Sequence, residues 1–332
     1  MNDQSHMMAF ARDAALERPD AAARRRSGLD ASDRAFRLAA QACALLVLLV
    51  LVGILGSMVY GGWPAFKEFG FFGFLTGSVW DVNNDVYGAW PAVAGTLASA
   101  FIALVIGVPV SLGIAVFLTQ LAPPWLKGPV GAAVELLAAV PSIIYGMWGL
   151  FVLAPLVAAY MQAPLNRVVE GMPIIGTVLY SQVPSGTGIA TAGLILAVMI
   201  VPFVASVVRD MLDQIPTVLR ESAYGIGCTT FEVVRHVLIP QAGVSIVGAV
   251  MLGLGRALGE TMAVTFVVGN ANRLPASIFD PGSTIASRIA NEFNEALGLQ
   301  MNALVALGCI LFLVTFSVLI AARLLVARVK TH

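Results

Sequence analysis

Three charged side chains fall inside runs apolar and long enough to cross a membrane: Glu135, Arg256 and Glu260. A charge at membrane depth costs about 2.5–3.5 kcal/mol on insertion scales, so such residues face a pore or a partner charge. Arg256 lies 16 residues past Pro240, about 24 Å along a helix and hence near mid-membrane. Glu260 is expected one turn further on the same face. A guanidinium at that depth suits an anion with paired oxygens, because its planar fork of donors matches them and it never loses its charge. Glu260 would hold Arg256 in place and keep an empty path from binding the anion too tightly. The competing reading is a buried ion pair that only fixes helix packing, and the residues alone leave both open. Glu135 sits about five residues inside its run, within snorkelling reach of the surface, so path and packing roles stand level there. Ser142 and Tyr145 place hydroxyls beside Pro141 and could line the same path.

The elements that must position these side chains are helices in a bilayer. Hydrophobic residues make up 58% of the chain and charged residues 11%, against about 45–50% and about 25% in soluble domains. Mean hydropathy is +0.87. The expected fold is therefore all-α, a polytopic membrane protein with six spans at Leu38–Tyr60, Ala92–Thr119, Val130–Tyr160, Gly188–Val208, Ala242–Val268 and Leu299–Ala322, each near the roughly 20 residues that a bilayer core demands. Pro109, Pro141 and Pro202 lie inside spans two, three and four and should bend them. Gly255 and Gly259 form a small-residue pair that would let another helix approach span five closely.

Lys and Arg fix the expected orientation. Residues 1–36, including Arg24-Arg25-Arg26, read as a polar, disordered cytosolic tail rather than a removable signal peptide, since the apolar run starts late and is long. With that tail inside, the outer connections hold only Lys67, Arg167, Arg273 and Arg288, and every other cation but Arg256, Arg209 among them, falls inside. Both termini are thus expected in the cytosol, with 37–322 the membrane domain, 209–241 a cytosolic loop and 323–332 a cytosolic tail. The first outer connection, 61–90, is dense in aromatics, among them Trp63, Phe72, Phe74, Trp80 and Tyr87. It reads as a segment lying at the headgroups or as part of a dock, together with 163–185 and 270–298.

The cytosolic loop has its own pattern. Pro216 suits the first turn of a short helix, Gly225 and Gly227 suit its stop, and Thr229 with Glu232 spells a capping box for a second short helix expected to end before Pro240. Within it Glu221, Ala223, Gly227, Val237, Ile239 and Pro240 resemble the EAA loop of bacterial ABC importer permeases, with Ser222 in place of the usual second alanine. The segments 255–261 (Gly-Arg-Ala-Leu-Gly-Glu-Thr) and 135–146 (Glu-Leu-Leu-Ala-Ala-Val-Pro-Ser-Ile-Ile-Tyr-Gly) resemble the C-type permease subunits of phosphate importers, and the likeness covers roughly residues 37 to 322. The resemblance implies a permease of the type I ABC importer fold in the bacterial inner membrane. It would work with a second, A-type permease, two ATPase subunits and an external phosphate-binding protein, and carry phosphate. It tips Arg256 and Glu260 toward the anion path. It also makes the loop a coupling element docked in an ATPase groove, with Phe231, Val234, Val237 and Leu238 as the apolar face.

Several classes fall away. A Walker motif needs Gly-Lys-Ser/Thr, and the lysines Lys67, Lys127 and Lys330 all lack a preceding glycine, so any ATP hydrolysis belongs to a partner. Scattered His6, His236 and His332 show no metal spacing, and Cys43, Cys228 and Cys309 no disulfide framework. No cofactor is expected, and a net charge of zero implies no attraction to nucleic acid. The alternatives that remain are a permease for another oxyanion such as molybdate or sulfate, and an ion-coupled carrier. The carrier reading gives no account of the Glu221–Pro240 spacing. An intramembrane enzyme lacks any nucleophile–base pair or metal set in the spans.

Overall fold

A helix satisfies every backbone N–H and C=O within its own segment, which is what apolar surroundings demand. The computed structural model describes residues 18–169, 178–181 and 184–329, with side chains described between 33 and 324. It has six helices long and apolar enough to cross a membrane. In chain order, α1 is Arg18–Phe69, α2 Phe71–Thr76, α3 Trp90–Leu121, α4 Pro124–Ala139, α5 Ser142–Val169 and α6 Ile189–Asp213. Then come α7 Thr217–Gly225, α8 Thr230–Gly259, α9 Met262–Val267, α10 Ile285–Glu292 and α11 Gly298–Val329.

The chain divides into residues 1–57 and 58–332. The first unit is the N-terminal part of α1, whose described side chains are almost all exposed. Because α1 starts at Arg18, the second half of the expected disordered tail is helical. Residues 1–17, 170–177, 182–183 and 330–332 lie outside the described residues, and with them the ends of both expected tails and part of the 163–185 connection.

Three apolar clusters follow one another along the second unit, and α3 threads them in order. Its Ala92 and Val93 join Phe74, Trp80, Tyr87, Ile285 and Leu304 at one end. Ala100 and Ala103 join Ile195, Ile200, Leu254, Leu258 and Val264 in the middle. Ala115 joins Leu212, Ile215, Ala223, Val233 and Leu238 at the other end. The middle cluster is held by close packing, since lipid offers apolar side chains no worse a home than protein does. There a Cβ at Gly107 would stand 2.8 Å from the Ile200 side chain, and one at Gly193 2.7 Å from that of Ile102. Among the described residues no helix makes the expected approach at Gly255 and Gly259: a Cβ at either position would meet nothing within 4 Å.

Two expected spans are interrupted, and each interruption moves a charge. Span three does not run from Val130. Val140 is extended (φ −64°, ψ 130°), the conformation that a following proline imposes, so α4 stops and α5 starts anew at Ser142. Pro141 therefore breaks the helix rather than bending it. Span five ends at Gly259, Glu260 is extended (ψ 129°), and α9 follows as a separate turn. Pro240 does the reverse of what its neighbours suggest. The helix opened at Thr230 runs through it, because a π turn at Val234–Leu238 widens the backbone just ahead. The π turns at Gly149–Leu153 and Ala158–Gln162 likewise precede Pro155 and Pro164 by two residues. A proline ring presses on the carbonyl one turn back and cannot bond it, and one π turn moves that carbonyl aside.

Part of the aromatic connection forms a small core, while Trp63 (62%) and Phe72 (76%) stay exposed. Strand β1 (Trp80–Asp81) pairs antiparallel with β2 (Val86–Tyr87) in the register Trp80↔Tyr87. Phe74, Trp80 and Tyr87 are buried, with the Trp80 and Tyr87 rings 5.0 Å apart. Beneath them Arg288 is 4% exposed. It donates to Asn272 Oδ1 (2.8 Å), Ser283 Oγ (2.7 Å), the Ala271 carbonyl (3.1 Å) and Glu292 Oε1 (3.2 Å), and its guanidinium lies 4.9 Å from the Trp80 ring centre. Burial pushes that guanidinium below its usual value and Glu292 opposes the shift. Glu292 Oε2 also accepts from Trp80 Nε1 (2.9 Å) and Gln300 Nε2 (3.0 Å), tying the hairpin, α10 and α11 together.

Candidate functional site

Local rules build the loop as the sequence suggests. Gly227 (φ +93°) gives α7 a left-handed stop, where a side chain would be strained. Its N–H donates to the Tyr224 carbonyl (2.9 Å) and that of Cys228 to the Ala223 carbonyl (3.1 Å), the paired bonds of a Schellman ending. The capping box is formed: Thr229 N donates to Glu232 Oε2 (2.8 Å) and Glu232 N to Thr229 Oγ1 (3.4 Å).

Of the motif residues, Ala223 is buried against Val233 and Leu238, Val237 is half-buried, and Glu221, Gly227, Ile239 and Pro240 are exposed. The expected docking face needs correction. Leu238 is fully buried and Val234 and Val237 pack against the chain's own core, because the helix continues through Pro240 and turns those positions inward. Phe231 of that face does stay exposed (68%), as do Ile226 (83%) and Val218 (67%), with Leu219 and Tyr224 exposed on the same loop.

In the middle cluster Tyr145 packs with Leu254, Ala257 and Leu258, the neighbours of Arg256 on α8, while Glu260 and Glu135 take other partners. Arg256 is exposed, its neighbours Leu254, Ala257 and Leu258 holding α8 in the middle cluster. It makes no hydrogen bond or ion pair among the described residues. Tyr145 is buried and donates to the Leu137 carbonyl (2.7 Å), lacing α5 to α4 across the Pro141 break. A Cβ at Gly146 would stand 2.9 Å from the Ala263 backbone, so α5 and α9 touch beside both helix breaks. Ser142, half-buried, stands at the first turn of α5 with no bond from its hydroxyl among the described residues.

The Arg256–Glu260 pair is not formed. With α8 ended at Gly259, Glu260 leaves the shared face and accepts instead from Ala263 N (3.4 Å), at the start of α9. Glu135 is likewise not in a span. It lies on α4, a helix of 16 residues too short to cross a bilayer, and binds Arg209 at 2.7 Å. Sequence reasoning missed this partner, having counted Arg209 only toward orientation. The adjacent Arg209-Asp210 at the end of a span was the available signal.

The sequence profile of the family described as "Binding-protein-dependent transport system inner membrane component" matches residues 107–331. The chain is 52% identical over 295 residues to the "Phosphate transport system permease protein PstC" of Pasteurella multocida, covering 89% of this chain and 92% of that one. The protein of the same name from Haemophilus influenzae is 53% identical over 287 residues (86% and 90%). A Mycobacterium tuberculosis protein, "PstC 2", is 41% identical over 298 residues (88% and 90%). Among solved structures, the bacterial alginate ABC transporter in complex with an alginate pentasaccharide-bound periplasmic protein superposes with a TM-score of 0.59 at 16% identity, over 87% of this chain and 93% of that one. That likeness is one of fold.

Proposed function

Because the chain belongs to the binding-protein-dependent transport system inner membrane components, we propose that it is the phosphate-conducting permease subunit of an ATP-driven importer. The carrying observation is about half identity, over nine-tenths of both chains, to phosphate transport permease subunits. It is a multi-pass membrane permease. In the assembly it works with a second permease, two ATPase subunits and an external phosphate-binding protein. Both termini and the Glu221–Pro240 loop face the cytosol, in keeping with the bias of Lys and Arg.

The geometry supports a division of labour. Ile226, Phe231 and their neighbours are large apolar side chains exposed on a polar loop, which suits insertion into a groove of the ATPase. Arg256 carries an unpaired charge at mid-bundle, a placement that favours a pathway over a packing role. Its fork would take two phosphate oxygens as the ion passes, with the Ser142 hydroxyl as a further donor and Tyr145, whose hydrogen goes to the Leu137 carbonyl, lining the Pro141 break. Glu260 orders the start of α9 beside that path instead of neutralising Arg256. Hydrolysis of ATP resides in the partner subunits.

Radiolabelled phosphate uptake, measured with and without this subunit in the presence of its partners, tests the function. Uptake independent of the subunit would overturn it. For the path, Arg256→Gln in an assembled complex should lower uptake about 10- to 100-fold, the loss of one charge-assisted contact. Arg256→Lys should rescue poorly, since an ammonium is a point charge. Because the two residues are not paired, adding Glu260→Gln to Arg256→Gln should not restore uptake.

A further inference from the structure

The proposed path leaves one charged contact unexplained. Arg209, one turn before the end of α6, places Nη2 2.7 Å from Glu135 Oε1 and 3.0 Å from Asp210 Oδ1. Its other terminal nitrogen, Nη1, lies where a Cβ of residue 131 would be only 2.8 Å away. Gly131 and Glu135 are one helical turn apart on α4, so the guanidinium lies against bare backbone and is capped by the carboxylate. Among the described residues this is the ion pair that joins two helices; Arg209–Asp210 and Arg288–Glu292 each stay within one.

What it joins gives it meaning. On one side, α6 leads through Ile215 into the loop, and Leu212, Ile215 and Ala223 share one buried cluster, so the end of α6 and the loop form a single body. On the other, α4 ends at Ala139, four residues after Glu135, just before the Val140–Pro141 break across which Tyr145 bonds back to Leu137. Tyr145 packs in one cluster with Leu254, Ala257 and Leu258, the neighbours of Arg256 on α8. A displacement of the loop thus arrives at the path through Arg209 and Glu135.

We propose that the Arg209–Glu135 pair is a clasp that opens and closes in each transport cycle, with Arg209 a positioning residue that carries loop motion to the helix break beside Arg256. This rests on the reading of the chain as an ATP-driven phosphate permease. Two features suit a clasp better than a staple. The pair is partly exposed, 22% for Arg209 and 57% for Glu135, so it adds little stability and exchanges readily with water. Asp210 gives the guanidinium a second carboxylate on its own helix, so letting go of Glu135 does not strand a charge.

The test uses the full complex, with ATPases and phosphate-loaded binding protein, in proteoliposomes where phosphate uptake and ATP hydrolysis are read together. Arg209→Gln removes the clasp. Gly131→Ala keeps both charges and unseats the guanidinium, and the added methyl meets only the far end of a flexible side chain. Both should assemble and hydrolyse ATP within about twofold of the parent, while phosphate moved per ATP falls about fivefold, the scale of a partly exposed pair. Arg209→Lys should recover more than half of that ratio. An unchanged ratio in both variants overturns the clasp, as does a loss of uptake only in proportion to lost assembly. A parent complex that hydrolyses ATP but moves no phosphate would overturn the phosphate reading instead.

Discussion

The loop end and the cap end of this bundle solve opposite problems. At the loop, Ile226 and Phe231 are 83% and 68% exposed although each could bury a large apolar surface. At the opposite end, beneath the Trp80–Tyr87 hairpin that caps the bundle, Arg288 is 4% exposed and donates to Asn272, Ser283 and Glu292. The exposed apolar side chains suit the ATPase groove proposed above, whereas the buried charge at the other end is paired within its own segment.

The largest effect should come from breaking the cap. Glu292→Ala leaves Arg288 buried without its carboxylate and takes an acceptor from Trp80 and Gln300, which should cost about 3–5 kcal/mol. Thermal unfolding in detergent should fall steeply, while the protein that remains folded still copurifies its ATPase. An unchanged midpoint would mean that the cap is not self-sufficient. Next, Ile226→Asp or Phe231→Asp should leave that midpoint alone but weaken ATPase copurification by about 2 kcal/mol or more, the scale of an interface anchor. Equal copurification would erase the contrast between the ends. Gly227→Ala should cost about 1–2 kcal/mol through its positive φ alone, since no atom crowds the new methyl. Asn there should be milder than Ala and Val worse, read by loop proteolysis. The smallest change sharpens the cap: Trp80→Phe keeps the ring beneath which Arg288 lies and loses one hydrogen bond, about 1 kcal/mol in the same unfolding assay.

The number of spans was legible because length and apolarity decide it, and the turn chemistry of the loop was legible because Gly227 and the Thr229–Glu232 box act within a few residues. What sequence alone left undecided was the behaviour of proline. Pro109 and Pro202 stay inside helices, Pro141 ends one, and Pro240 is carried through by a π turn. These outcomes differ in whether the preceding residue turns extended and whether one residue is looped into the helix, choices made by tertiary packing. The error then spread to charges. Extending a helix through Val140 put Glu135 in the membrane, and extending one through Glu260 paired it with Arg256. The aromatics divide for a related reason: composition marks the whole segment alike, Trp63 and Phe72 stay exposed, and only the Trp80–Tyr87 pairing tells that those two rings face inward.

The π turn at Val234–Leu238 also sets an azimuth. One residue looped into a helix turns everything beyond it by about 100° relative to everything before it. Helical-wheel arithmetic carried from Phe231 to Arg256 therefore names the wrong face unless the extra residue is subtracted. Deleting a single residue from this turn would leave both chemistries intact and still aim them in directions that no longer agree.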